Sequence, residues 1–328
     1  MSGYVFRDPA LGPRNFAAPE DREPVLKGQL DLFAHSQSTI LQNDLTDAVL
    51  ERDRARVHQL LERLRALAPG HPALPAFGTL RAALEAWPAS TRACAADAHA
   101  AARAVEWLDS AVAPAAAGAL GAAAAAFMRS LWHELGVAVA ARPYDPAHPR
   151  AHFAYCHLRA GDARAALQGL TTIAGYELDP FVLQWLILAQ HAVSGWHACR
   201  SAFFTLALTA PQHLPAILEM LGDASVEADW ERFWTDCLWL DQRDERAGAW
   251  FPAWYLIEHP ATRPGQVPGA ESSEAACARA FRAMRELLAL ERAGYGAPLV
   301  AARAQLRQID TRLFEHYMSR RAAPAAAP

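Results

Sequence analysis

Histidine and cysteine side chains crowd one short stretch: Asp145, His148, His152, Cys156 and His157, with His191 and His197 downstream. On a helix starting near Ala147, His148, His152 and Cys156 recur every four residues along one face. That spacing can offer two imidazole nitrogens and a thiolate to one metal ion. Against it stand Pro149 in the first turn and the lack of a second cluster to complete the ligand set. Histidines on solvated helix faces are ordinary, so the expectation is no bound metal and no cofactor. A second concentration holds Trp230, Phe233, Trp234, Trp239, Trp250, Phe251, Trp254 and Tyr255, interspersed with Glu231, Asp236, Asp241, Asp244 and Glu245. Tryptophan faces beside carboxylates can stack a sugar ring, and paired carboxylates can hydrolyse a glycosidic bond. The four-residue spacing of Trp230 with Trp234, and of Trp250 with Trp254, instead suits rings turned into a helical core.

Familiar catalytic signatures are absent from the sequence. His133-Glu134 begins like a zinc-protease motif, but Val137 stands where the second histidine is needed. No G-x-x-x-x-G-K-[ST] loop occurs, and no G-x-S-x-G elbow.

Helices must position these residues. Apolar positions fall at spacings of three and four, strict alternation is rare, and the pattern predicts an all-α chain. The expected helices are 28–50, 53–67, 73–86, 91–111, 115–141, 147–159, 162–174, 181–193, 196–209, 213–221, 228–241, 247–258, 272–292 and 298–319. Prolines and glycines such as Pro69-Gly70, Gly161, Pro180, Pro211 and Pro260 supply the stops. The expected organisation is an extended N-terminal arm (1–27), N-terminal helical hairpins (28–146), a repeat region (147–258), a Pro/Gly-rich linker (259–271), a C-terminal hairpin (272–320) and a disordered tail (321–328).

With 328 residues, 52% hydrophobic and a net charge of −4, the chain can bury a sizeable core and offers no broad field for nucleic acid or anionic lipid. Five cysteines without a C-x-x-C pair suit free thiols, and the start lacks a basic-then-apolar leader, so a cytoplasmic location is expected. The uncharged span 110–128 is mostly alanine, interrupted by Pro114, Gly118 and Gly121, and is expected to be a closely packed soluble helix rather than a membrane segment. One lysine among 31 basic residues, with the alanine surplus, fits a GC-rich bacterial genome.

A period of 34 residues is the strongest internal signal: Gly161-Asp162, Gly195-Trp196 and Asp229-Trp230 recur at that interval. Units at 147–180, 181–214 and 215–248 align Leu170, Phe204 and Leu238, and also Phe153, Ile187 and Leu221. A helix–turn–helix unit of this length resembles the tetratricopeptide repeat, with Ala166 at a small-residue position, Leu221-Gly222 at the family's Leu-Gly pair and a looser unit at 38–71. Departures are Val57, Arg200 and Trp234 at the small-residue position, and Asp241 where the family keeps an apolar residue. The resemblance implies a stack of helical hairpins with a concave face, a tetratricopeptide-like solenoid. It further implies that first helices line the groove, giving Tyr155 and Trp185 as anchors, Arg159 beside them, and a carboxylate edge of Glu219, Asp223 and Glu227. Such a groove suits another protein's extended peptide carrying apolar side chains and a basic group. The expected function is a non-catalytic adaptor or assembly factor. The alternatives are a small-molecule-, sugar- or metal-binding enzyme using the tryptophan-rich half, and a subunit that shapes an enzyme complex.

Overall fold

The structure, a computed structural model, describes residues 23–322 apart from Ser272 and Tyr295. All regular elements among the described residues are helical, as the periodicity predicts. The arm's residues 1–22 and the tail's residues 323–328 lie outside the described residues, while 23–27 and 321–322, expected in the arm and the tail, are helical.

Two compact units divide the chain, Met1–Arg81 and Ala82–Pro328. In the first, α1 (Glu23–Leu50) packs on α2 (Arg54–Leu67), followed by the start of α3 (Leu74–Ala96). Arg52 takes a left-handed φ of 58° to close the α1–α2 turn, and Asp53 caps α2 by accepting the Arg56 backbone N–H. Leu41, Leu45 and Val49 of α1 and Val57, Leu61 and Leu64 of α2 are buried at three- and four-residue intervals.

The second unit continues with α4 (Ala98–Trp107), α5 (Ala113–Leu120), α6 (Ala124–Ala138), α7 (Phe153–Arg159), α8 (Ala163–Leu170), α9 (Pro180–Ser194), α10 (Trp196–Thr209), α11 (Leu214–Leu221) and α12 (Ala224–Asp236). After these come α13 (Phe251–Glu258), the short α14 (Pro268–Glu271), α15 (Ala276–Ala293), α16 (Ala297–Ile309) and α17 (Thr311–Ala322). Aspartates set many of the starts: Asp97, Asp162, Asp179 and Asp223 accept backbone N–H groups of the first turns of α4, α8, α9 and α12. Within residues 147–258 α7 meets α8 and α9, α8 meets α9, and α9 meets α10 and α11, while α12 packs on α13.

Two expectations change in the folded chain. The third turn of the 34-residue series is not at Asp229-Trp230, which lie inside α12; the chain turns at Gly222-Asp223 instead. Gly222 occupies the left-handed region at φ 55° and Asp223 caps the next helix, a stronger stop than two residues with helical propensity. The linker 259–271 is docked: Val267, Gly269 and Ala270 are buried, and Gly269 lies where a side chain would collide with Thr209 of α10. In the tryptophan-rich stretch Phe233, Phe251 and Trp254 are fully buried and in ring contact with one another, in keeping with the core reading of the helical spacing, while Trp230, Trp234, Trp239 and Trp250 are half-buried.

The alanine-rich span is built in three pieces. A π-helical turn, Leu108–Val112, and a 3-10 turn, Gly121–Ala123, interrupt an apolar stretch from Ala98 to Ala138 that is long and apolar enough to cross a membrane, by length and composition only. Pro114 accounts for the π turn, because its ring lacks an N–H and crowds the carbonyl four residues back; the widened turn relieves that crowding.

Candidate partner-binding site

The π turn places Asp109 across from the last residue of α7. Asp109 Oδ1 lies 2.7 Å from Arg159 Nη1, and the same nitrogen donates to the Tyr155 hydroxyl at 2.8 Å. Tyr155 in turn donates to Asp109 Oδ2 at 3.4 Å. Burial pushes the Tyr155 phenol up, so it stays a neutral hydroxyl that both gives and accepts. The Arg159 guanidinium also lies 4.7 Å from the Trp132 ring centre, a cation–π contact. Trp185 of α9 closes the other side, its ring 5.3 Å from that of Tyr155. Four segments therefore fix one arginine whose side chain remains 38% exposed. Its hydrogen bonds among the described residues all use Nη1, which leaves Nε and Nη2 for a carboxylate from outside.

Tyr155, Arg159 and Trp185 lie together, and the two rings are buried walls, at 8% and 5% exposure, rather than protruding anchors. Asp223 has a structural task. Its Oδ1 accepts the Ser225 N–H and hydroxyl, its Oδ2 pairs with His191 Nε2 at 2.9 Å, and these bonds, Ser225 first, hold its carboxyl at about 2. Glu219 on α11 and Glu227 on α12 are exposed.

His148, His152 and Cys156 do not form a metal face. A 3-10 turn at Pro149–Ala151 and the extended backbone of His152 (φ −83°, ψ 144°) break the helix that would align them. The His148 ring packs edge-on to His99, and His152 Nδ1 accepts the Ala154 N–H as the cap of α7. Burial holds the His152 imidazole down to about 4 and pushes the Cys156 thiol up to about 12.

Another cluster, absent from the sequence expectations except for Asp236, joins α12, α13 and α17. Ligand atoms of Asp236, Glu258 and His316 lie within 4.8 Å of one another, close enough to share a cation. Arg320 already fills the cationic place, with Nε 2.7 Å from Glu258 Oε1 and Nη2 3.1 Å from Asp236 Oδ2, while His316 Nε2 is 2.9 Å from Glu258. Burial works to raise the Glu258 carboxyl, but His316 and Arg320 outweigh it and the group is held below its ordinary value. The cluster reads as a lock holding α17. No sequence signal reaches across the 84 residues between Asp236 and Arg320.

In comparisons with known proteins, no family model, no curated protein and no solved structure matches the chain.

Proposed function

We propose that the chain is a non-catalytic interaction scaffold, an adaptor or assembly factor, whose tetratricopeptide-like hairpins in 147–258 hold an extended peptide of another protein. The observation that carries this reading is Arg159, immobilised by Asp109, Tyr155 and Trp132 with two guanidinium nitrogens uncommitted. An arginine whose rotamer is already fixed binds a carboxylate with less ordering entropy than a free one. Exposed Glu219 and Glu227 add an acidic rim for a basic group elsewhere on the peptide. In this reading Ala98–Ala138 packs within the protein, in keeping with the pairing of Asp109 to Arg159 and of Glu134 to the Trp87 indole N–H at 2.8 Å.

The test is capture from a lysate of the source cell by immobilised wild-type protein and by the R159E and E219K/E227K variants, with helical content followed by circular dichroism. Wild-type protein should retain one or more proteins that R159E loses at unchanged helicity. Equal retention by all forms would remove Arg159 and the acidic rim from any role in binding.

A further inference from the structure

A cleft far along the chain from Arg159 gathers four arginines. It has a volume of about 480 Å³ and lies between the docked segment 259–271 and one stripe of α15. Arg282, Arg285 and Arg292 face it from α15 at intervals of three and seven residues, and Arg263 faces it from the docked segment. Leu256 and Leu288, both buried, floor it.

Several arginines are anchored through part of their donor set. Arg282 Nη1 donates to the backbone oxygens of Ala270 and, at 2.7 Å, Ser273, while its Nη2 lies 3.6 Å from Glu274. Arg285 Nη1 lies 2.6 Å from Glu271, and Arg292 Nη1 donates to the Pro260 carbonyl at 3.3 Å. Arg263 has no hydrogen bond or ion pair among the described residues. Against the four guanidinium groups the lining sets two carboxylates, Glu271 and Glu286. Like charges on neighbouring turns disfavour one another, so a cavity with surplus positive charge gains most from an anion.

We infer that this cleft binds a small phosphate-bearing molecule. Planar guanidinium forks match phosphate oxygens two at a time, and the free nitrogens of Arg263, Arg285 and Arg292 supply such forks. The volume falls in the range of small-ligand sites, and the leucine floor accommodates the body of the ligand. Glu286, which makes no bond among the described residues, can accept from a hydroxyl or amine on that body. The inference is independent of the scaffold proposal, since it involves none of the residues around Arg159.

Calorimetric titration of the full chain with inorganic pyrophosphate, and separately with citrate, tests the inference. Pyrophosphate should bind, more weakly as salt rises, and the R263A/R285A double variant should lose at least about tenfold in affinity. R312A, an exposed arginine of α17 outside the cleft, should bind like the wild type. Circular dichroism checks that the double variant keeps its helices, and R263A alone, which breaks no internal bond, serves if it does not. Absence of pyrophosphate binding, or equal binding by R263A and wild type, would overturn the site. Citrate binding as tightly as pyrophosphate would overturn the assignment to phosphate.

Discussion

Trp254 and Asp236 meet through one oxygen: the indole Nε1 donates to Asp236 Oδ2 at 3.1 Å, and Arg320 reaches the same atom at 3.1 Å from α17. A fully buried ring is thereby connected to a C-terminal helix by a carboxylate that serves both. Glu258, 8% exposed at its side chain, takes the other part of Arg320, whose own side chain is 41% exposed.

These exposures rank the lock's members. Removing Glu258 leaves His316 and Arg320 without their closest acceptor in a partly buried site, and E258A should lose about 2–4 kcal/mol. R320A removes a more solvated partner and should lose less than about 1 kcal/mol. Urea unfolding monitored by tryptophan fluorescence checks the order, and equal losses would show that the network does not depend on burial.

His152 predicts a pH dependence. Its folded value of about 4 lies below the ordinary 6.5, because burial disfavours the imidazolium. The unfolded chain therefore takes up a proton that the folded chain refuses, and stability falls as pH drops from about 6.5 towards 4. The expected loss reaches up to about 2–3 kcal/mol at the acid end of that window. H152N keeps an acceptor for the Ala154 N–H and removes the titration. Its stability, measured across the same window, should fall less steeply than that of the wild type.

Two helical glycines should respond in opposite directions to alanine. At Gly169 a methyl group would sit 2.4 Å from the Phe153 ring, where α7 and α8 close together, and G169A should destabilise by about 1–3 kcal/mol. At Gly118 nothing lies within 4 Å, and G118A should stabilise α5 by about 0.5–1 kcal/mol. Thermal unfolding of the pair provides the check, and a shared sign would contradict the described packing.

Local physics made much of the fold legible. Helices at 54–67, 180–194 and 196–209 fall within a residue of their expected bounds, because Asp53, Pro180 and Gly195 act on their immediate neighbours. Periodicity also identified Trp254 as a core residue. What escaped was tertiary. Asp109 and Arg159 are 50 residues apart, and the former points correctly only because a π turn shifts its phase, a geometry that a 3.6-residue pattern does not encode. The 34-residue spacing points to a turn at Asp229-Trp230, whereas the chain turns at Gly222-Asp223, where the local pattern already ends a helix at 221. Asp223 likewise looked available on its sequence position, although its bonds to Ser225 and His191 occupy it.

The docking of 259–271 has a practical corollary for anyone dividing this gene. A shortened product ending at Pro260 would strip Gly269 from α10, uncovering Thr205, now 1% exposed. The proline-rich stretch that looks like a natural cutting point is closer to a keel, and cutting there exposes surface that the intact chain covers.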